Sequence, residues 1–365
     1  MKNSYKFRYI LTIAALSAVL LSGCTNERLE DELAFREIGI SNMQKGDYEG
    51  AIVAFSSALA LCPGEITNTE IDICYYKAAA LYANGDTEGA LETYQALIDY
   101  NEKDGNAYYL RGCLNLQKGE NKQALSDFSN AVKYNSDDFE IYIGIYENLT
   151  AYNMTEEGEE YLNKAFDIKG SSAENLAYRG KIYYLLGQYE NAQKELTAAI
   201  EKESKEANLY LAQVYEAEGN MEKAENFYQA YTASGVADSV AMNALAEIEI
   251  GKGNYGAALD YVKQGLAMED VTNRAELLSN QVIASEYSGD FETAQAAMQE
   301  YLSLCPEDAE AQREYIFLKN RRIKEKTPET GNEQDRMQDT QQSTEITDTE
   351  NTNPAESTDN NGQTE

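Results

Sequence analysis

Residues able to carry out chemistry are scarce in this sequence. Its 365 residues include five cysteines but no histidine, which excludes Ser-His-Asp and Cys-His nucleophile pairs and histidine-ligated metal sites. Paired acids such as Glu156-Glu157 occur, but they lie at an expected helix start, where negative charge is favourable. The sequence therefore predicts no enzyme activity, no metal site and no cofactor.

Cys24 is the cysteine with the most informative surroundings. Residues 1–9 carry Lys2, Lys6 and Arg8 without an acid, and residues 10–21 form an apolar run. This order is typical of a secretory signal, and the run is shorter than the roughly 20 residues that a membrane-spanning helix needs. The sequence thus predicts an export signal that ends beside a nucleophilic thiol.

The residues Leu21-Ser22-Gly23-Cys24 resemble the lipobox of bacterial lipoproteins. The resemblance implies that the Cys24 thiol takes a diacylglyceryl group and that residues 1–23 are removed. Two or more acyl chains would then hold the mature protein on the extracytoplasmic side of the cell membrane. An ordinary signal with a chance cysteine, or an uncleaved anchor, is the alternative.

The composition indicates a folded, acidic body. The net charge is −33 and 43% of the residues are hydrophobic, which is ample apolar material for a core. Only four prolines occur, as suits helices, because proline removes a backbone donor and clashes with the preceding turn. Since phosphate backbones are held by clustered lysine and arginine, the acidity argues against nucleic acid as a partner.

A turn residue recurs along the body at intervals of 32 to 39 residues, four of them 34. Five residues after each turn comes a small side chain, and a bulky one follows in most units. The turn residues are Gly46, Gly85, Gly119, Asn153, Gly187, Gly219, Gly253 and Gly289, and the small residues are Ala51, Ala90, Ala124, Gly158, Ala192, Ala224, Ala258 and Ala294. Glycine suits a left-handed helix end, and a small residue lets two helices approach closely.

This pattern resembles the tetratricopeptide repeat, a pair of antiparallel helices. The resemblance covers residues 32–308 in eight units and implies an all-α, right-handed superhelix. Residues 24–31 would be a linker, 309–326 a C-terminal capping helix and 327–365 a disordered acidic tail. Another helical-hairpin repeat is the alternative, since the family's tryptophan is absent. The fourth unit departs most: Tyr146 replaces a small residue, and Gly158 could offset its volume.

In this family, partners bind the concave face formed by the first helix of each unit. The resemblance places one stripe of side chains on that face: Tyr75, Tyr82, Tyr109, Leu116, Ile143, Lys181, Tyr184, Glu216, Glu247 and Glu286. Aromatic rings beside carboxylates would suit a peptide with apolar anchors and a basic part. The alternative is that the tyrosines pack between helices and the acids are merely solvated.

The resemblances together imply a membrane-tethered scaffold that binds partner proteins or peptides in the bacterial cell envelope. A lipoprotein that captures a peptide or glycan for a transporter is the alternative. Cys62 and Cys74 bracket the longest loop between units; in an exported chain they could form a disulfide, or both could be thiols.

Overall fold

The computed structural model describes residues 27–62, 66–236, 238–268 and 271–326. The regular secondary structure in these ranges is helical, in 17 helices. They are α1 Glu27–Gln44, α2 Tyr48–Ala60, α3 Asn68–Ala83, α4 Thr87–Tyr100, α5 Gly105–Lys118, α6 Asn121–Tyr134, α7 Phe139–Ala151, α8 Thr155–Ala165, α9 Ala173–Leu185, α10 Tyr189–Ile200, α11 Glu206–Ala217, α12 Met221–Ala233, α13 Ser239–Gly251, α14 Tyr255–Leu266, α15 Arg274–Tyr287, α16 Phe291–Leu304 and α17 Ala309–Lys326. The predicted export signal, Cys24 and the predicted tail lie outside the described residues.

Helices α1 to α16 form eight consecutive hairpins, in which each odd-numbered helix packs against the even-numbered helix that follows it. At six of the seven junctions between hairpins, the second helix also packs against the first helix of the next hairpin. Between the fourth and fifth hairpins, the rings of Phe166 and Tyr183 meet with their centres 4.6 Å apart. This arrangement is an α-solenoid, so the predicted all-α repeat fold is confirmed. Helix α17 belongs to a second compact unit that begins at Ala309, and its role as a cap stays a prediction.

Each hairpin turn uses the same backbone device. In the first, the Gly46 N–H donates to Met43 O at 3.0 Å and the Asp47 N–H donates to Asn42 O at 2.9 Å, a Schellman pair. The closing residue is left-handed, with φ of 75° at Gly46 and 61° at Asn153. Asparagine tolerates this conformation better than most side chains, so its predicted role in the fourth turn is confirmed.

The predicted close approach of the two helices is also present. All eight small residues after the turns are buried. In the first hairpin, a Cβ added to Gly39 would lie 2.5 Å from Cε1 of Phe55, so the ring occupies the space that glycine leaves. The same steric fit occurs at Gly112 against Phe128. Because each hairpin needs this close packing, the small and bulky residues recur in the sequence once per hairpin.

A buried ion pair that the sequence pattern does not reveal holds the third hairpin. Arg111 donates to both carboxylate oxygens of Asp127, with Nη2 2.6 Å from Oδ1 and Nε 3.0 Å from Oδ2. Asn115 Nδ2 donates to the same carboxylate at 2.9 Å. Arg179 and Glu195 form the equivalent, more exposed pair in the fifth hairpin.

Two further properties follow from the described part of the chain. It contains no helix that is both long and apolar enough to cross a bilayer. It also contains no group of three acidic, cysteine or histidine side chains placed to hold a metal ion.

Candidate partner-binding face

The first helices of neighbouring hairpins are joined by a series of side-chain contacts, and these contacts define one face of the solenoid. We call this surface the first-helix face. Its contacts are Arg36 to Asp72, Tyr82 to Gln117, Tyr178 to Glu140, Lys181 to Glu147 and Asn280 to Asn243. Because each contact spans two hairpins, the face is assembled by the stacking of the repeat.

Two of the predicted tyrosines are half-buried on helix α3. The Tyr82 hydroxyl donates to Gln117 Oε1 at 2.7 Å. The Tyr75 hydroxyl donates to Asp104 Oδ1 at 2.6 Å, and Asp104 also caps helix α5 through the Ala107 N–H. Burial, followed by the nearby Asp104 carboxylate, raises the pKa of Tyr75. Tyr75 therefore fixes the start of α5 as well as contributing to the face.

The prediction that Tyr109, Leu116 and Ile143 line this face is wrong, because all three are core residues. Their exposed fractions are 2%, 0% and 1%. Tyr109 extends across the junction of the third and fourth hairpins to Gly144, where an added Cβ would lie 2.5 Å from its hydroxyl oxygen. The missing side chain of Gly144 admits the ring, so Tyr109 packs between hairpins instead of facing solvent.

Lys181 and Tyr184 lie on helix α9 and are half-buried. The Lys181 Nζ is 3.7 Å from Oε1 of Glu147 and 5.5 Å from the centre of the Tyr210 ring. Burial, followed by the carboxylate of Glu216, raises the pKa of Tyr184. This part of the face thus combines aromatic rings, carboxylates and an ammonium group.

The predicted glutamates of the C-terminal half differ in their surroundings. Glu216 is half-buried and accepts a hydrogen bond from the Tyr228 hydroxyl at 2.5 Å. Glu247 is exposed, and its Oε1 accepts from Asn243 at 2.7 Å and from Asn280 at 3.3 Å. Glu286 is half-buried on α15. The exposed carboxylate of Glu247 is therefore the one most accessible to a partner among these three.

Tyr178, Tyr210 and Glu140 belong to the face although the sequence stripe did not include them. Tyr178 stacks on Phe139 with ring centres 5.4 Å apart, and its hydroxyl donates to Glu140 Oε1 at 2.7 Å. Tyr178 and Tyr210 each stand two residues before the small residue of their helix, Gly180 or Ala212. This shared spacing from the small residue could have identified both tyrosines from the sequence. The predicted set of face residues was taken from other positions of the same helices.

Cys62 and Cys74 are both half-buried thiols in this structure. Burial raises the pKa of the Cys74 thiol, partly offset by the charge of Lys77. A raised pKa lowers the thiolate fraction and with it the reactivity of the sulfur.

Comparison with known proteins supports the repeat assignment. Family models described as tetratricopeptide repeat match residues 42–112, 105–138 and 179–239. No curated protein matches the chain.

Several solved structures are similar to this chain at low sequence identity. Human IFIT1, solved as a dimer with m7Gppp-AAAA, is 14% identical with a TM-score of 0.50, covering 89% of this chain and 86% of its own. A tetratricopeptide repeat protein from Parabacteroides merdae is 16% identical with a TM-score of 0.42, covering 79% and 98%. The pilF protein of Pseudomonas aeruginosa is 18% identical with a TM-score of 0.41, covering 58% and 98%.

Helical hairpins, left-handed turn residues, small-to-bulky packing and three family matches all describe the same unit. The chain therefore contains tetratricopeptide repeats, arranged as a solenoid of eight hairpins.

Proposed function

We propose that this protein is a membrane-anchored, extracytoplasmic scaffold that binds partner proteins or peptides on its first-helix face, within the bacterial cell envelope. Tetratricopeptide repeats generally serve protein interaction, and they do so without catalysis. The observation that carries the proposal is the row of half-buried aromatic and charged side chains that spans consecutive first helices.

The chemistry of this face suits an extended peptide. Tyr82, Tyr178 and Tyr184 present partly exposed rings, which supply contact area at a small cost in side-chain entropy. The carboxylates of Glu140, Glu147 and Glu247 are exposed. Charges at the edge of an interface accelerate association with a partner of opposite charge, here a basic one. The same negative charge disfavours nucleic acid, whose phosphates would be repelled.

The anchor rests on the sequence around Cys24. Helix α1 begins at Glu27, so an acylated Cys24 would hold the first hairpin close to the bilayer surface. With a net charge of −33, the protein has no electrostatic reason to stay on an anionic membrane, so anchoring falls to the acyl chains.

Metabolic labelling with an alkyne fatty acid tests the anchor. We expect the native protein to take up the label and sediment with membranes, whereas Cys24→Ala takes up none. Cys113→Ala is the matched control and should be labelled like the native protein. Equal labelling of Cys24→Ala and native protein would contradict the proposed anchor.

Site-specific photo-crosslinking tests the face. A photoreactive residue replacing Tyr82 or Glu247 should capture partner proteins in intact cells, and the captured bands should differ from those of an exposed position on a second helix, Lys122. Glu247→Gln should slow association and weaken its salt dependence, since screened attraction acts on the approach of the partner. If the photoreactive residue captures a partner protein at position 122 but at neither position 82 nor position 247, the first-helix face is not the partner-binding site.

Substrate capture is the second candidate, and one observation favours it. Tyr255 and Tyr287 stack with ring centres 4.9 Å apart and planes inclined by 11°, and Tyr287 is 70% exposed. Aromatic faces of this kind can stack against sugar rings. Binding of peptidoglycan fragments that is lost in Tyr287→Ala would support this candidate, and unchanged binding would remove it.

A further inference from the structure

Lys181 lies between an aromatic ring and a carboxylate on the first-helix face. Its ammonium group lies 5.5 Å from the centre of the Tyr210 ring, within the distance at which a cation is attracted to an aromatic face. It also lies 3.7 Å from Oε1 of Glu147. Three first helices contribute to this arrangement: α7 through Glu147, α9 through Lys181 and α11 through Tyr210.

The surroundings of the Tyr210 ring are strongly acidic. Burial, followed by the carboxylates of Glu206, Glu140, Glu147 and Asp238, raises the pKa of its hydroxyl. These acids come from two first helices, α7 and α11, and from the residue that caps a third, α13. A second ring, that of Tyr178, completes the site and is fixed by its hydrogen bond to Glu140. The site therefore combines a cation-binding ring with more negative charge than one lysine neutralises.

Lys181 occupies this site loosely. A separation of 3.7 Å from Glu147 is longer than a charge-assisted hydrogen bond, which is about 2.7–2.9 Å. The Lys181 side chain keeps 24% of its surface exposed and that of Glu147 keeps 49%, so water screens the pair. A lysine stem is flexible, which allows the ammonium group to leave without any backbone movement.

We propose that Lys181 is an internal substitute for a partner's cation, and that an arginine side chain of a bound peptide displaces it from the Tyr210 ring. The incoming guanidinium stacks on Tyr210 and pairs with Glu147 and Glu206. This inference rests on the proposed binding of peptides to the first-helix face, and it names the chemistry that one part of that face recognises.

Arginine fits this site better than lysine. A guanidinium is planar, stacks on aromatic rings and carries five donors that can serve two carboxylates at once. Lysine offers a compact charge that is more strongly hydrated, so it gains less from leaving water. A neutral citrulline has the shape of arginine without its charge and isolates the electrostatic part of the recognition.

Peptide-observed NMR titration of the mature chain tests the proposal, with the probe acetyl-Gly-Gly-Arg-Gly-Gly-amide and its lysine and citrulline counterparts. Lys181→Met removes the internal competitor and should tighten binding of the arginine peptide about two- to fivefold. Tyr210→Leu and Glu147→Gln should each weaken it by a similar factor, whereas Tyr210→Phe keeps the ring and should bind like the native protein. Affinity should follow the order arginine, lysine, citrulline.

Lys164→Met is the matched control, because Lys164 also lies over a tyrosine ring, 4.6 Å from the centre of Tyr161, but on the second helix α8. It removes the same charge and should leave affinity unchanged. The proposal is overturned if Lys181→Met does not tighten binding, if Lys164→Met tightens it equally, or if no arginine peptide binds at millimolar concentration. If photo-crosslinking at Tyr82 or Glu247 captures a partner equally well with and without Lys181→Met, this inference is contradicted and the proposed function stands. If neither position captures a partner in the native protein, the proposed function is contradicted as well.

Discussion

In the fourth hairpin, the large side chain of Tyr146 packs against Gly158, which has no side chain. A Cβ added to Gly158 would lie 3.1 Å from Cδ2 of Tyr146 and 3.2 Å from its Cα. The other hairpins mostly place a glycine or alanine at the Tyr146 position and an alanine at the Gly158 position. The predicted compensation of a large residue by a small one is therefore confirmed.

This exchange predicts a reversal of sign in a double-mutant cycle. In the native background, Gly158→Ala should be neutral or destabilising, because the contact with Tyr146 offsets the helix propensity of alanine. After Tyr146→Ala, the same change should stabilise by about 1 kcal/mol, the usual advantage of alanine over glycine in a helix. Chemical denaturation of the four proteins measures the coupling, and additive effects would mean that the two residues do not interact.

Overpacking the third hairpin tests the register of the repeat. Ala124 has no exposed surface, so Ala124→Leu should lower the free energy of unfolding by about 1–3 kcal/mol. Lys122→Leu, at an exposed position of the same helix, is the control. Calorimetry should show a lower or broader transition for Ala124→Leu alone, since repeat arrays can unfold in parts. Equal effects of both changes would place Ala124 outside the core.

Breaking the buried ion pair should cost more than breaking its less buried counterpart in the fifth hairpin. Asp127 is 1% exposed, so Asp127→Asn leaves Arg111 without its counter-charge and should cost about 3–5 kcal/mol. Glu195→Gln removes the equivalent carboxylate beside Arg179, whose side chain is 17% exposed and still donates to the Gly170 carbonyl oxygen, and it should cost less than Asp127→Asn because water reaches this pair more easily. Thermal denaturation of both variants gives the comparison, and equal losses would contradict the argument from burial.

Two buried carboxyl groups at the junction of the first two hairpins predict a pH dependence. Glu32 is 2% exposed and Glu70 is 5% exposed. Burial, followed by the charge and hydrogen bond of Glu70, raises the pKa of Glu32. For Glu70 burial is opposed by hydrogen bonds from Thr67, and its pKa is lowered. At neutral pH Glu70 is therefore ionised, and Glu32 must either carry a second negative charge beside it or stay protonated. Both states cost free energy.

A group with a raised pKa in the folded state stabilises the protein below its ordinary pKa, here 4.5, and loses that contribution as pH rises through the folded pKa. Glu32→Gln should therefore raise the thermal midpoint at pH 7.5 and change it little at pH 4. Glu30→Gln, at an exposed position of α1, should change neither. A midpoint for Glu32→Gln that falls at pH 7.5 would show that the ionised carboxylate is stabilising.

The repeat architecture could be predicted from sequence because its causes are local. A left-handed turn demands glycine or asparagine, and close helix packing demands a small residue five positions later. Both demands recur with each hairpin, so Asn153 and Gly158 could be placed without a structure. The ion pair of Arg111 with Asp127 escaped prediction, because charged residues are common on helices and only packing shows which pair is buried.

The composition of the first-helix face was decided by the tertiary structure. Sequence register places Tyr75 and Tyr109 at equivalent positions on α3 and α5, each ten residues before the turn glycine. Tyr75 is nevertheless half-buried, whereas Tyr109 is buried against Gly144 of the next hairpin. Exposure at such a position depends on the residue that the next hairpin brings opposite it. The contact of Lys181 with Tyr210 arises in the same way, from side chains on two helices that only the stacking of hairpins brings together.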